Sequence, residues 1–233
     1  MKSGNINSLF QIDLKSCNPI VSEAYMGTIS EPSKKRLVLL AQLLLQQNNG
    51  RITSAAINRL TGWSDSLIRH DISSIGFKGG FSNGYNVSEL REAVCTALHI
   101  GDQDTRLNCC IVGLGRLGAA LLDDSIFSGT EYEIVAGFDP NVNRTEILRS
   151  TFPLYPASRL ESVIQAEHIV YTILTVVDKD AQQIADRLAD CGIRGIVNYT
   201  NVVLSLTNGV VVENVSPVTA LKNLSARTGG SRI

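Results

Sequence analysis

The sequence has few of the residues that metal and redox sites require. It contains three histidines and five cysteines, and no group of them has the spacing typical of metal ligands. These residues are His70, His99 and His168, with Cys17, Cys95, Cys109, Cys110 and Cys191. An odd number of unpatterned cysteines gives no sign of a disulfide framework. We therefore expect no metal site, and a cytoplasmic protein with reduced cysteines.

Long apolar runs and an excess of one charge are also missing. No apolar run approaches the roughly 20 residues that span a bilayer. Residues 1–30 lack the basic start and compact apolar block of a secretory signal, and we interpret them as a flexible extension. The sequence predicts no contact with a membrane. With net charge −1 and 44% hydrophobic residues, the chain of 233 residues has enough apolar material for folded cores.

Residues 31–100 have the periodicity of a small helical domain. Leucines recur at helical spacing from Ser33 until the Asn-Gly pair at positions 49–50. Thr53 is placed to cap a second helix, and Ser64 or Asp65 to cap a third that extends to Ile75. Two short helices joined by a glycine-containing turn are typical of a helix-turn-helix. The glycine-rich residues 77–87 suit a hairpin or wing after it.

The third predicted helix presents a polar face that suits DNA. Residues 31–81 carry seven basic and three acidic side chains, and phosphate contacts require such an excess. The alternative is a helical bundle whose basic face is merely solvated. The predicted DNA-binding residues are Arg51, Ser64, Ser66, Arg69, His70, Ser73, Lys78 and Tyr85.

A further helix, which Ser88 is placed to cap, leads to a polar break at residues 101–104. We place the domain boundary there. The predicted divisions are a winged-helix domain at 31–100, a dinucleotide-binding domain at 101–216, and a final helix and tail at 217–233.

The second domain opens on a dinucleotide-binding pattern. The predicted strand Leu107–Val112 ends in Gly113, Gly115 and Gly118, spaced Gly-x-Gly-x-x-Gly, and a predicted helix then continues to about Phe127. The first glycine allows the turn, the second allows a pyrophosphate to approach the backbone, and the third allows the helix to pack on the sheet. The pyrophosphate is expected at the N-terminus of that helix.

An acidic residue follows the next strand. Asp139 comes after a β-rich run, where a carboxylate that binds the adenosine ribose and favours NAD over NADP is expected. The alternative is that Asp139 belongs only to a turn. Strands and helices then alternate, which predicts a parallel sheet covered on both faces. Asp178 is placed to cap one of these helices, and residues 204–212 resemble a hairpin.

Ligands of such sheets bind at the carboxyl ends of the strands. The predicted cofactor-binding residues are Gly113, Leu114, Gly115, Arg116, Leu117, Gly118, Asp139, Thr175, Val176 and Asn198. A dehydrogenase also needs a positioned acid or base, and no histidine, lysine or tyrosine stands in an evident catalytic arrangement. The sequence thus favours a sensor over an enzyme. A small NAD-dependent oxidoreductase and an interaction module that binds another nucleotide, such as coenzyme A, remain the alternatives.

The joint pattern resembles the Rex family of NAD(H)-responsive transcriptional repressors. The resemblance covers about residues 30–224. Its motifs are Arg36-Leu37, Ile68-Arg69-His70-Asp71, Gly84-Tyr85-Asn86-Val87, the glycine loop, Ala136-Gly137-Phe138-Asp139, Ile173-Leu174-Thr175-Val176, Gly195-Ile196-Val197-Asn198 and residues 209–215. The resemblance implies a homodimer in which a C-terminal helix, here about residues 217–226, reaches across to the other subunit. It also implies palindromic operator DNA, which NADH releases.

The chain departs from the usual family pattern in the wing, at residues 80–85, and at four further positions. His70 stands where a second basic residue is common, and Asp124, Val177 and Ser216 replace a tyrosine, a proline and an aspartate. We expect His70 to weaken a phosphate contact, because a neutral imidazole attracts phosphate less than a cation does.

Overall fold

The computed structural model describes residues 29–79, 83–101, 105–207 and 209–229. The chain divides into two compact units, with the division between Ile100 and Gly101. The expected flexible extension lies almost entirely outside the described residues, as do the last four residues of the expected tail.

Helices of the first unit begin where the sequence provides caps. They are α1 (Glu31–Leu45), α2 (Ser54–Thr61), α3 (Asp65–Ser74) and α4 (Val87–Leu98). Ser30, Thr53 and Ser64 each accept a hydrogen bond from a backbone N–H in the first turn of α1, α2 and α3. The prediction that Ser88 caps α4 is wrong. The Asn86 side chain is the cap, and it accepts from the N–H groups of Ser88 and Glu89.

A short antiparallel pair joins the helices. Strand β1 (Arg51–Ile52) lies between α1 and α2, and it pairs with β2 (Tyr85–Asn86), which lies between α3 and α4. The expected wing after α3 therefore ends in a strand whose partner comes from before α2. Residues 80–82, in the middle of that wing, lie outside the described part. The core beneath is built from Leu37, Leu44, Ile57, Ile68 and Leu90, each at most 2% exposed. Burial of these side chains holds the helices in place.

The second unit alternates strands and helices. Its strands are β3 (Leu107–Val112), β4 (Tyr132–Asp139), β5 (Leu154–Pro156), β6 (Tyr171–Leu174), β7 (Gly195–Asn198) and β8 (Val211–Asn214). Its helices are α5 (Arg116–Ala120), α6 (Val142–Ile147), α7 (Leu160–Ala166), α8 (Asp178–Asp190) and α9 (Pro217–Arg227). The expected fold class, helices followed by a Rossmann-like parallel sheet and a C-terminal helix, is confirmed.

The sheet order identifies where a ligand should bind. The order is β5-β4-β3-β6-β7-β8, and every described pairing is parallel. Counted within this unit, that is the 3-2-1-4-5-6 order of dinucleotide-binding domains. The order reverses between β3 and β6, so the crevice lies where Val112 and Leu174, which are register partners, end their strands.

Cys109 and Cys110 lie on opposite faces of β3. Cys110 packs in the core that includes Phe138 and Leu174, and Cys109 packs in the core that includes Ile111 and Phe152. Burial raises the pKa of both thiols to about 12, so they stay protonated at neutral pH. Both cysteines therefore pack as small apolar residues.

Three local predictions in this unit are wrong. Helix α5 ends at Ala120 rather than near Phe127, because the Asp123 side chain caps a separate 3-10 turn at Asp124–Phe127. Asp178 does not cap α8; its carboxylate accepts hydrogen bonds from the backbone and side-chain amides of Asn201 instead.

The expected hairpin at residues 204–212 is the third. β8 pairs parallel with β7, and the described residues between these two strands, 199–207 and 209–210, form no strand. The Gln182 side chain of α8 exchanges two hydrogen bonds with the Ser205 backbone, which takes the place of strand pairing there. Over the described residues, no helix is long and apolar enough to cross a membrane.

Candidate functional site

The glycine loop lies at the crevice between β3 and β6. Gly113 has φ +99°, and a Cβ there would lie 2.7 Å from the Thr175 carbonyl carbon. At Gly118 a Cβ would lie 1.8 Å from the Gly113 carbonyl oxygen. Both glycines are required by close backbone approach, which brings α5 tightly against the sheet.

Gly115 differs from its neighbours because the space beside it is open. A Cβ at Gly115 would meet no described atom within 4 Å. Gly115 is also the N-cap of α5. Because glycine has no side chain, no capping side chain accepts a hydrogen bond from the first N–H groups of α5. The loop thus offers an accessible stretch of backbone donors, which fits a pyrophosphate. Because α5 has only five residues, we attribute this fit to the individual N–H groups rather than to a helix dipole.

The Thr175 hydroxyl holds the loop from the other strand. It donates to the Gly113 carbonyl over 2.5 Å and lies 3.3 Å from the Val112 carbonyl oxygen. The Thr175 backbone N–H also donates to the Val112 carbonyl, over 2.8 Å. Thr175 and Val176 are half-buried at the mouth of the crevice. The structure therefore brings these two predicted residues next to the glycine loop.

Asp139 closes the site at the end of β4. One carboxylate oxygen accepts from the Leu114 N–H over 2.7 Å, and the other accepts from the Asn141 N–H over 2.8 Å. Arg144 in α6 lies 3.2 Å from the first oxygen. Asp139 is only 1% exposed. Its observed contacts hold its own turn, as the second interpretation expects, and also fix the glycine loop; contact with an adenosine ribose stays a prediction.

Asn198, at the end of β7, is fully buried and satisfied within the chain. Its amide group donates to the Val202 carbonyl and to the Asn214 side chain, and its oxygen accepts from the backbone and hydroxyl of Thr200. These bonds join β7 to β8 and fix the turn after β7. Contact with a cofactor stays a prediction for Asn198, and its described contacts are those of a positioning residue.

The predicted DNA-binding residues of α3 share one exposed stripe. Ser66, Arg69, His70 and Ser73 are all exposed, and their spacing places them on one helix face. The Arg69 side chain is 65% exposed and lies 3.7 Å from Asp65. A pair this exposed is weak, so Arg69 is available to a phosphate or base.

The remaining predicted DNA-binding residues lie in several settings. Ser64 and Lys78 are exposed, and Arg51 is exposed on β1 with its guanidinium donating to the Gly84 carbonyl over 3.2 Å. Tyr85 is 7% exposed and packs 6.4 Å, ring to ring, from Phe77. A direct DNA contact of Tyr85 stays a prediction, and its burial favours a packing role.

A buried ion pair fixes α3 against α1. Arg36 donates two hydrogen bonds to Asp71, over 2.6 and 2.9 Å, and a third to Ser33. Burial by itself raises the pKa of Asp71, but the hydrogen bonds from Arg36 and Ser33 and the guanidinium charge outweigh it and lower the pKa. This contact fixes the rotation of α3 against α1, and hence the direction that the exposed stripe of α3 faces.

Two contacts of the site were missed from the sequence. Arg144 belongs to no sequence motif, although it follows Asp139 by only five residues. Asn214 lies in the motif at residues 209–215, yet nothing in that motif marks it as the partner of Asn198. Among the residues the structure describes, no group of three or more histidine, cysteine, aspartate or glutamate residues could hold a metal ion.

Comparisons with known proteins found a domain family for part of the chain and relatives over most of it. A family model described as a CoA binding domain matches residues 104–202. The redox-sensing transcriptional repressor Rex of Leuconostoc citreum (strain KM20) is 34% identical over 75% of this chain and 79% of its own length.

Solved structures of RSP, a Rex-family repressor, are also similar. RSP in complex with beta-NADH has a TM-score of 0.74 at 28% identity, covering 88% of this chain and 96% of that one. RSP in complex with beta-NAD+ and operator DNA has a TM-score of 0.75 at 28% identity, covering 88% and 94%.

Proposed function

Because the chain belongs to the Rex family of redox-sensing transcriptional repressors, we propose that it represses transcription in response to the NADH/NAD ratio. It binds operator DNA as a homodimer, and NADH releases it. The single observation that carries this proposal is a glycine loop with an open backbone, located at the reversal of the strand order, in the same chain as an exposed basic helix.

The cofactor is held by the second unit. The N–H groups that follow Gly115 bind the pyrophosphate, Arg116 and Leu117 border it on the exposed side of α5, and Thr175 and Val176 border it on the side of β6. NAD(H) supplies a redox-dependent ring charge, which is the signal the protein reads. In this proposal the second unit binds both forms of the cofactor and acts on no substrate. We accordingly propose a regulator without enzymatic activity, acting in the cytoplasm where NADH and operator DNA meet.

DNA is bound by the first unit. Helix α3 enters the major groove with Arg69 and the neighbouring serines toward the bases and phosphates. Two such helices of a homodimer read two half-sites of a palindrome, separated by about one helical turn of DNA, roughly 34 Å.

The two ligands must be coupled for the protein to sense anything. NADH has to bind the DNA-free state more tightly than the DNA-bound state. By linkage, bound DNA then lowers the affinity for NADH by the same factor by which NADH lowers the affinity for DNA. A 100-fold difference corresponds to about 2.7 kcal/mol of coupling free energy.

A mobility-shift titration tests the function. The full chain is titrated onto palindromic promoter DNA, with NADH, NAD or neither added. We expect a specific shift that NADH reverses and NAD does not. Absence of a specific shift under all three conditions contradicts the repressor function, and a shift that neither dinucleotide alters contradicts the sensing function.

A further inference from the structure

The chain passes from the first unit to the second between Ile100 and Gly101, and hydrogen bonds hold both residues. The Ile100 N–H donates to the Cys95 carbonyl over 3.0 Å, so Ile100 stays attached to α4. The Gly101 N–H donates to the Glu131 carboxylate over 2.9 Å, so Gly101 is attached to the second unit. A backbone donor bonded to a carboxylate makes a stronger contact than one bonded to a neutral acceptor. The connection therefore cannot lengthen here without breaking one of these two bonds.

Glu131 holds both ends of the segment that leads into β3. Its side chain accepts from the Gly101 N–H, and its backbone carbonyl accepts from the Leu107 N–H over 2.9 Å. Glu131 is half-buried, and the ring of Tyr132, directly after it, lies edge-on to the ring of Tyr171 at 6.1 Å between centroids. An aromatic pair of this kind stabilises the strand ends that carry it. Glu131 thus attaches the connecting segment to the amino end of the sheet.

Strand β4 joins this contact to the cofactor site. At the carboxyl end of β4, Asp139 accepts from the Leu114 N–H of the glycine loop, and Glu131 directly precedes the amino end. The pairing of β4 with β3 extends from Leu107 to Val112, so both contacts belong to one hydrogen-bonded strand pair. Coupling between distant sites is carried by packed, hydrogen-bonded elements of this kind.

We propose that Glu131 is the positioning residue through which cofactor binding acts on the first unit. It acts through the Gly101 N–H: while this bond is intact, a displacement of the strand pair also moves the point at which the chain enters the first unit. Without the bond, the connecting segment can extend and absorb that displacement. NADH then still binds, but it releases DNA less effectively. The inference rests on the proposed function, since it requires NADH to weaken operator binding.

The test separates the coupling between the two ligands from the affinity for each. Fluorescence anisotropy gives the operator dissociation constant with and without saturating NADH, and the ratio of the two is the NADH effect. Calorimetry gives the affinity for NADH alone. Glu131→Ala should reduce the NADH effect at least about tenfold, while the affinity for each ligand alone changes by no more than about threefold. A merely structural contact would lower the single affinities or the thermal midpoint and leave the NADH effect unaltered.

Two conservative variants separate the reach of the side chain from its charge. Glu131→Gln keeps an oxygen acceptor at the same distance and loses the charge, so it should retain the NADH effect of the unaltered chain. Glu131→Asp keeps the charge but draws the acceptor back by one methylene group, so it should reduce the NADH effect as Glu131→Ala does. Glu133→Ala is the matched control, because it removes an exposed glutamate from β4 itself, and it should leave the NADH effect unchanged.

Three outcomes overturn the inference. An NADH effect in Glu131→Ala and Glu131→Asp equal to that of the unaltered chain overturns it and spares the proposed function. A reduced NADH effect in Glu131→Gln overturns it as well, since the acceptor is still present there. If Glu131→Ala does not fold, the comparison of Glu131→Gln with Glu131→Asp decides by itself. An unaltered chain whose operator affinity does not respond to NADH overturns both the inference and the proposed function.

Discussion

Gly115 and Gly118 are three residues apart and meet very different surroundings. A methyl group at Gly118 would collide with the Gly113 backbone, whereas one at Gly115 meets no described atom within 4 Å. We expect Gly115→Ala to keep the thermal midpoint within a few degrees, because a Gly→Ala change at an N-cap with open space for the methyl group costs about 1 kcal/mol at most. NADH affinity should still fall at least about tenfold, because the methyl group lies where the pyrophosphate approaches.

Gly118→Ala provides the contrast, since the loop or α5 must move to accommodate it. It should lower both the thermal midpoint and NADH affinity, measured by calorimetry on the same samples. Unchanged NADH binding in Gly115→Ala would show that the open side of the loop is not the side the cofactor uses.

Asp71 predicts an acid dependence of the first unit. The folded pKa of Asp71 is lowered, so the contact with Arg36 stabilises the fold fully above the unfolded pKa of about 3.9 and is lost as the pH falls through the folded pKa. We expect Asp71→Asn to lower the free energy of unfolding by about 2 kcal/mol between pH 6 and 8, with the difference shrinking below about pH 4.

Urea unfolding followed by the fluorescence of Trp63 measures this, because Trp63 is the single tryptophan and packs against the core of the first unit. Ser73→Ala, a change on the exposed face of the same helix, should alter the unfolding free energy by no more than about 0.5 kcal/mol. A loss in Asp71→Asn that stays constant down to pH 3 would contradict the ion-pair account.

At the scale of one element, we propose that α3 carries the surface that recognises DNA. Arg69→Ala should weaken operator binding and leave NADH affinity unchanged. The slope of the logarithm of the operator-binding constant against the logarithm of the salt concentration should become shallower by about 1, as expected for the loss of one phosphate contact. Fluorescence anisotropy with labelled operator at several salt concentrations measures both quantities. Arg149→Ala removes the same charge from the second unit and is the control. Parallel loss of NADH and DNA binding in Arg69→Ala would mean misfolding or a wrong assignment of the surface.

His70 offers a gain rather than a loss. Its side chain is 73% exposed on the same face as Arg69. His70→Arg replaces an imidazole with a permanent cation, so operator affinity should rise about threefold to tenfold at 0.1 M salt, where charge contacts are only partly screened. The same anisotropy assay measures it. Unaltered affinity would place His70 outside the DNA contact.

At the scale of the whole molecule, α9 has an apolar face that the single chain does not cover. Val218, Leu221 and Leu224 are 54%, 61% and 53% exposed, and none of the described residues of α9 is buried. We expect α9 to pack on the other subunit of a homodimer, which would cover this face. We expect Leu221→Asp combined with Leu224→Asp to convert dimer to monomer in analytical ultracentrifugation and to weaken operator binding.

The exposed Leu45 at the end of α1 is a matched control, because it is 63% exposed in the other unit. Leu45→Asp should leave the sedimentation of the dimer unchanged. A stable dimer in the double α9 variant would assign the interface to another surface.

Local features were predictable wherever a residue acts on its own neighbourhood. Thr53 and Ser64 cap α2 and α3 as expected, β3 has the predicted bounds, and the outward stripe of α3 follows from helical spacing. The errors at Asp178 and at residues 204–212 have one cause. Asn201 and Gln182 supply side-chain partners from segments far along the chain, and these contacts outcompete the local cap and the local turn.

The sequence by itself determined the glycine loop, because each of its three glycines is required by the sterics of one local turn between strand and helix. It also determined both helical and sheet halves, because hydrophobic periodicity reports which face of each element is buried.

Tertiary structure alone decided which strands are neighbours, and hence that the crevice opens between β3 and β6. It alone decided that the loop is held by Thr175 and Asp139, and that Arg144 covers the carboxylate. The contacts of Thr175 and Asp139 with the glycine loop join segments that are distant along the chain, and the packing of the sheet fixes their distances whereas local spacing does not. The contact of Arg144 with Asp139 spans only five residues and depends on how the chain turns from β4 into α6.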